Sequence, residues 1–79
     1  MSEQTNKIKY MTFSETQELK SEIDPKIKTG DYITLGQILD VAPDTARMRY
    51  HRDNEEAILS MQKIITARES LIQSVKNNS

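Results

Sequence analysis

Apolar residues recur at intervals of three and four along most of this chain, and that spacing is typical of amphipathic α-helices. The longest such series lacks glycine and proline and predicts a helix over residues 54–76, opened by Asp53 and Glu56 as a capping box. Its two apolar rows are Ala57, Met61, Ile64, Leu71 and Val75, with Arg68 at the vacant position, and Ile58, Ile65 and Ile72.

The N-terminal part is predicted to be a polar arm followed by a helix. Residues 1–12 are polar and lack helical periodicity, so we expect a flexible arm. A short strand over residues 7–13 is a weaker alternative, because apolar side chains alternate there only imperfectly. Ser14 and Gln17 form a capping box, which predicts a helix over residues 14–24.

Two short helices separated by a tight turn are predicted within residues 34–52. The first, over residues 34–40, is opened by a capping box of Thr34 and Gln37. The second, over residues 43–52, begins with Pro43, whose missing N–H costs nothing in a first helical turn. The apolar positions expected to pack the pair together are Tyr32, Ile33, Leu35, Ile38, Leu39, Val41, Ala46 and Tyr50. Thr29 to Asp31 are expected to form the loop before them.

This spacing is that of a helix-turn-helix, in which the second helix can enter a DNA major groove. The segment LGQILDVAPDTARMRYHR resembles the L-x-x-x-L-x-V-S-x-x-T-A-R-x-R signature of small bacterial and phage helix-turn-helix DNA-binding proteins, over about residues 32–58. Two positions depart from it. Asp40 replaces the commonest glycine and needs a left-handed or otherwise tolerated backbone, and Ala42 replaces the usual serine, which forgoes a cap worth ~1 kcal/mol.

Positive charge is concentrated on the second of these helices, although the chain as a whole has a net charge of −1. Near-neutral charge is unusual for a DNA-binding domain. Residues 43–52, however, hold three arginines and one histidine against one aspartate. We expect the outward side chains to meet base edges and those at the flanks to meet phosphates. The first group is Asp44, Arg47, Met48 and His51, with Thr45 borderline, and the second is Arg49 and Arg52.

The C-terminal helix is long enough to predict a homodimer. About 23 residues span ~35 Å, which is more than the shorter helices can cover. The predicted interface consists of Met61, Ile64, Ile65, Arg68, Leu71, Ile72 and Val75. Within it, Arg68 either extends its charge to solvent or pairs with Glu69 or with a carboxylate of the other subunit. The alternative that this helix only closes the core of the monomer stays open.

Composition argues against several other classes of protein. The 79 residues contain no cysteine, so neither a disulfide framework nor a thiolate metal site is expected. A lone histidine, His51, with no glycine-rich phosphate loop and no metal-ligand spacing, predicts no enzyme, no metal and no cofactor. No apolar run has the length of a signal peptide or a membrane span, so a cytoplasmic location is expected.

Together these features predict a small all-α domain over residues 13–79, built of four helices with a long one at the C-terminus. We expect it to bind double-stranded DNA as a homodimer, in a small transcriptional regulator or an accessory factor of a phage or mobile element. The alternative is a non-enzymatic protein-interaction module, a helical adaptor or inhibitor that docks on a protein partner through its C-terminal helix.

Overall fold

The computed structural model describes residues 11–78, and this part of the chain is all-α. Its four helices are α1 (Phe13–Ile23), α2 (Thr29–Leu39), α3 (Pro43–His51) and α4 (Glu55–Asn77), with a 3-10 turn at Asp24–Lys26. The predicted fold class is confirmed. Most of the predicted arm and of the alternative strand lies before residue 11, outside the described residues, and no strand occurs among residues 11–78.

The three shorter helices pack around the N-terminal half of α4. Helix α2 lies against both α3 and α4, and α1 packs against α4. The core contains residues of all four helices, namely Ile23, Leu35, Ala46, Tyr50, Ala57, Ile58, Met61 and Ile65. The core therefore ends about halfway along α4, at Ile65.

The outer helices begin beside the predicted caps rather than at them. Thr12 caps α1, because its hydroxyl accepts from the Glu15 N–H at 3.1 Å and the Glu15 carboxylate accepts from the Thr12 N–H at 2.9 Å. Asn54 caps α4, with its side-chain oxygen accepting from the Ala57 N–H at 2.9 Å. Threonine and asparagine belong to the same group of preferred capping residues as the serine and aspartate that were predicted. Residue preference alone therefore could not decide between neighbouring positions.

Helix α2 begins at Thr29, five residues before the predicted start at Thr34. Asp31, in the first turn, caps the start of the helix, because its carboxylate accepts from the Lys28 backbone N–H at 2.7 Å. The predicted loop from Thr29 to Asp31 is thus the first turn of the helix. The Thr34 hydroxyl donates to the Gly30 carbonyl at 3.4 Å instead of capping.

The turn between α2 and α3 has the predicted backbone. Asp40 ends α2 in the left-handed region, with φ 60° and ψ 46°. Ala42 makes no side-chain cap, and Pro43 occupies the first turn of α3. Two predicted packing residues of α2 are exposed, however. Ile33 and Ile38 face solvent, because Leu35 defines the buried side of the helix and only that side meets α3 and α4.

Asp53 joins α3 to α4 and is held by α1. Its backbone is left-handed, with φ 63°, and its carboxylate accepts from the Lys20 ammonium at 2.8 Å and from the Gln17 amide at 3.1 Å. These two hydrogen bonds hold the pKa of the Asp53 carboxyl below its usual range. Asp53 therefore serves as a tertiary clamp rather than as the predicted helix cap.

This clamp predicts a loss of stability in acid. Because the folded-state pKa of Asp53 is lowered, its contribution is fully present above its ordinary pKa of about 4 and is lost as the pH falls below that value. Asp53→Asn, which tolerates the left-handed backbone, should flatten the dependence of the melting temperature on pH between about pH 5 and pH 3. Circular dichroism melts of both proteins test this, and equal slopes would contradict it.

Candidate nucleic-acid interface

Two buried side chains fix the rotation of α3 about its axis. Ala46 is fully buried and Tyr50 is almost so, one helical turn later on the same face. The Tyr50 hydroxyl donates to the carboxylate of Asp24, the first residue of the 3-10 turn. Burial and this carboxylate raise the pKa of Tyr50 far above its usual range, so the phenol remains a neutral donor. The opposite face of α3 must then point to solvent.

That outward face forms a shallow concavity with charged walls. It is lined by Asp44, Arg47, Met48, His51 and Arg52. All five are exposed, as the sequence predicted, while the borderline Thr45 is half-buried. Arg52 was predicted to lie at a flank, but it shares the concavity. Arg49 is exposed and lies outside it, so only Arg49 keeps a flanking position.

The arginines of this face are available to an anionic partner. The Arg47 guanidinium lies 3.9 Å from the Asp44 carboxylate, and both side chains are exposed. This ion pair therefore contributes at most about 1 kcal/mol to stability. Within residues 11–78, neither Arg49 nor Arg52 forms an ion pair. An approaching phosphate or base therefore has little to displace.

His51 connects this concavity to a second one beside the start of α2. Its ring centre lies 6.3 Å from that of Tyr32 and 5.7 Å from that of Tyr50. The second concavity includes Lys28, Thr29 and Tyr32, which the sequence had placed in or beside a loop. The pKa of Tyr32 is raised, mainly by burial, so its hydroxyl stays protonated. Recognition of Asp31 as a capping residue in the first turn of α2 would have placed these residues beside α3.

The predicted dimer interface divides into two parts. Met61 and Ile65 are buried in the core of their own chain, and Ile64 is packed against it. Their prediction as interface residues is corrected, because α1 and α2 already cover this part of α4. Beyond it the apolar residues are exposed, with Leu71 at 64%, Ile72 at 44% and Val75 at 59%.

Arg68 marks the boundary between the two parts of α4. Its guanidinium donates to the Asp31 carboxylate and, at 2.7 Å, to the Lys26 carbonyl. Arg68 was expected to extend its charge to solvent or to pair with Glu69 or with another subunit, and it pairs instead with Asp31 of its own chain. Glu69 lies 3.6 Å from Lys26 instead. Arg68 therefore lies at the end of the packed part of α4, and its guanidinium binds acceptors of its own chain.

A scan against protein-family models, a search of curated proteins and a search of solved structures each return no match to this chain. Among residues 11–78, no cluster of histidine, aspartate and glutamate has the arrangement needed to hold a metal ion. No helix in the same range combines the length and apolarity needed to cross a membrane.

Proposed function

We propose that this protein binds double-stranded DNA through α3, as a small cytoplasmic transcriptional regulator or an accessory factor of a phage or mobile element. The observation that carries the proposal is the outward face of α3. Buried Ala46 and Tyr50 fix this face, and its concavity presents Arg47, His51 and Arg52 together. Such a face suits the major groove, which admits one α-helix and presents hydrogen-bonding base edges.

The net charge of the whole chain is compatible with this proposal. Neutralisation of phosphates depends on local charge, and α3 with its C-terminal cap concentrates three arginines within six residues. Few phosphate contacts per subunit then imply modest affinity and a shallow dependence on salt. Arg47 is the side chain best placed to read a base, while Arg49 at the flank is placed to meet a phosphate.

Two arginine variants test the assignment of these roles. Arg47→Ala should cost ~1–3 kcal/mol of binding free energy on the preferred sequence and relax preference at one base position. Arg49→Ala should weaken binding to all sequences alike and lower the salt slope by about one unit. Fluorescence anisotropy with labelled duplexes at several salt concentrations measures both effects.

Lys63→Ala is the matched control, because Lys63 is an exposed cation on α4, outside the α3 concavity. It should leave the sequence preference unchanged. If neither arginine variant alters affinity for any duplex, α3 is not a DNA-binding helix and the proposal fails.

We also propose that two copies associate through the exposed end of α4. The exposed apolar side chains there include Leu71, Ile72 and Val75, each worth ~1.5–3 kcal/mol when fully buried. Association costs roughly 4–15 kcal/mol, so this dimer should be weak in solution and strengthened by two adjacent half-sites on DNA. A two-fold dimer favours a palindromic site with half-sites about one helical turn apart.

The mass of the protein in solution tests this association. Light scattering should show the 9.1 kDa chain moving towards twice that mass as concentration rises. Replacing both Leu71 and Ile72 with lysine should hold it at the monomer mass, because unpartnered charges in an apolar contact are strongly unfavourable. A wild-type chain that stays monomeric, with unchanged DNA affinity in the double variant, would favour the alternative function. The exposed end of α4 would then dock on a different protein, as in a helical adaptor or inhibitor.

A further inference from the structure

Met48 is an exposed apolar side chain that does not contribute to the core of the domain. It follows Ala46 by two residues and precedes Tyr50 by two, so at about 100° per residue it points directly away from both buried side chains. It is 46% exposed and is not among the apolar residues packed against the core. An apolar side chain thus stands at the centre of the outward face of α3.

The side chains around Met48 end in charged or ionisable groups. The other residues lining its concavity are Asp44, Arg47, His51 and Arg52. A protein-docking surface would need a contiguous apolar patch, and a single thioether framed by ionisable groups does not make one. The matching partner is a small apolar group set among hydrogen-bonding and anionic groups.

We infer that Met48 contacts the 5-methyl group of a thymine in the major groove. This inference rests on the proposed DNA-binding function and adds a specific base preference to it. Among the four bases, only thymine presents a methyl group in that groove, beside the acceptors that the arginines can meet. The unbranched, polarisable side chain of methionine adapts readily to such a small apolar surface.

The experiment compares thymine with uracil, which differ only by this methyl group. The wild-type protein first selects bound sequences from a random duplex pool, and the preferred duplex is resynthesised with one thymine at a time replaced by deoxyuridine. Anisotropy at fixed salt then gives the affinity of each duplex for wild type, Met48→Ala and Arg49→Ala. Circular dichroism verifies that the variants fold, as expected for exposed positions.

At one thymine in each half-site, loss of the methyl group should weaken wild-type binding about fourfold, the value of one buried methyl-sized group. Met48→Ala should bind the thymine and uracil duplexes equally. Arg49→Ala should weaken both while preserving the fourfold ratio.

Two results overturn the inference while leaving DNA binding intact. In one, the affinity of the wild-type protein for its preferred duplex stays unchanged whichever thymine is replaced with deoxyuridine. In the other, the loss persists undiminished in Met48→Ala. A wild-type protein that binds no duplex at all overturns the proposed function itself, and the role of Met48 with it.

Discussion

Replacing Asp31 with alanine is expected to lower the free energy of unfolding by about 2–4 kcal/mol. Asp31 is buried, and its two carboxylate oxygens have different partners. One accepts from the Lys28 N–H at the start of α2, and the other accepts from Arg68 on α4. Alanine removes the cap and leaves a largely buried guanidinium without its carboxylate. In a small domain this is a substantial part of the total stability.

Urea unfolding followed by circular dichroism measures the loss. Glu69→Ala is the matched control, because Glu69 pairs with Lys26 at 3.6 Å where both side chains are half-exposed. It should cost less than about 1 kcal/mol. A double-mutant cycle of Asp31→Asn with Arg68→Met isolates the coupling between the pair. If the free energy of unfolding of Asp31→Ala lies within about 0.5 kcal/mol of the wild-type value, the Asp31 carboxylate does not stabilise the contact between α2 and α4.

The sequence predicted local features of the fold well because they depend on neighbouring residues. The rotation of α3 follows from Ala46 and Tyr50, which are four residues apart and share a face. The left-handed backbone of Asp40 follows from a turn that needs such a conformation, which aspartate tolerates. In both places the determining residues lie within one helical turn of each other.

Contacts between distant segments could not be predicted in this way. Arg68 stood out in an apolar stripe, but its partner Asp31 is 37 residues away in a segment predicted to be a loop. The apolar pattern of α4 likewise repeats at Met61 and at Leu71, yet the first is buried and the second exposed. Which turns are covered depends on where the shorter helices end in space, and periodicity does not contain that information.

Replacing Gly36 with alanine is expected to destabilise the packing of α2 against α3 by about 2–3 kcal/mol. A Cβ at this position would lie 2.7 Å from the Val41 carbonyl oxygen and 3.3 Å from the Pro43 nitrogen. Both neighbours are backbone atoms, and the Val41 N–H also donates to the Gly36 carbonyl at 2.9 Å. The turn cannot move away from α2 without breaking this hydrogen bond. The strain should therefore exceed the ~1 kcal/mol that alanine gains in helix propensity.

Gly30→Ala makes the same chemical change in the same helix and is the matched control. A Cβ at Gly30 has no atom within 4 Å, so alanine there should stabilise the protein by about 0.4–1 kcal/mol. The midpoints of thermal and urea unfolding should therefore fall for Gly36→Ala and rise for Gly30→Ala. Gly36→Ala should also weaken binding to the selected duplex, since α3 must shift relative to α2 to admit the methyl group. If both variants gain stability, the turn does not approach α2 closely at Gly36, and the packing of α3 on α2 differs from the one seen here.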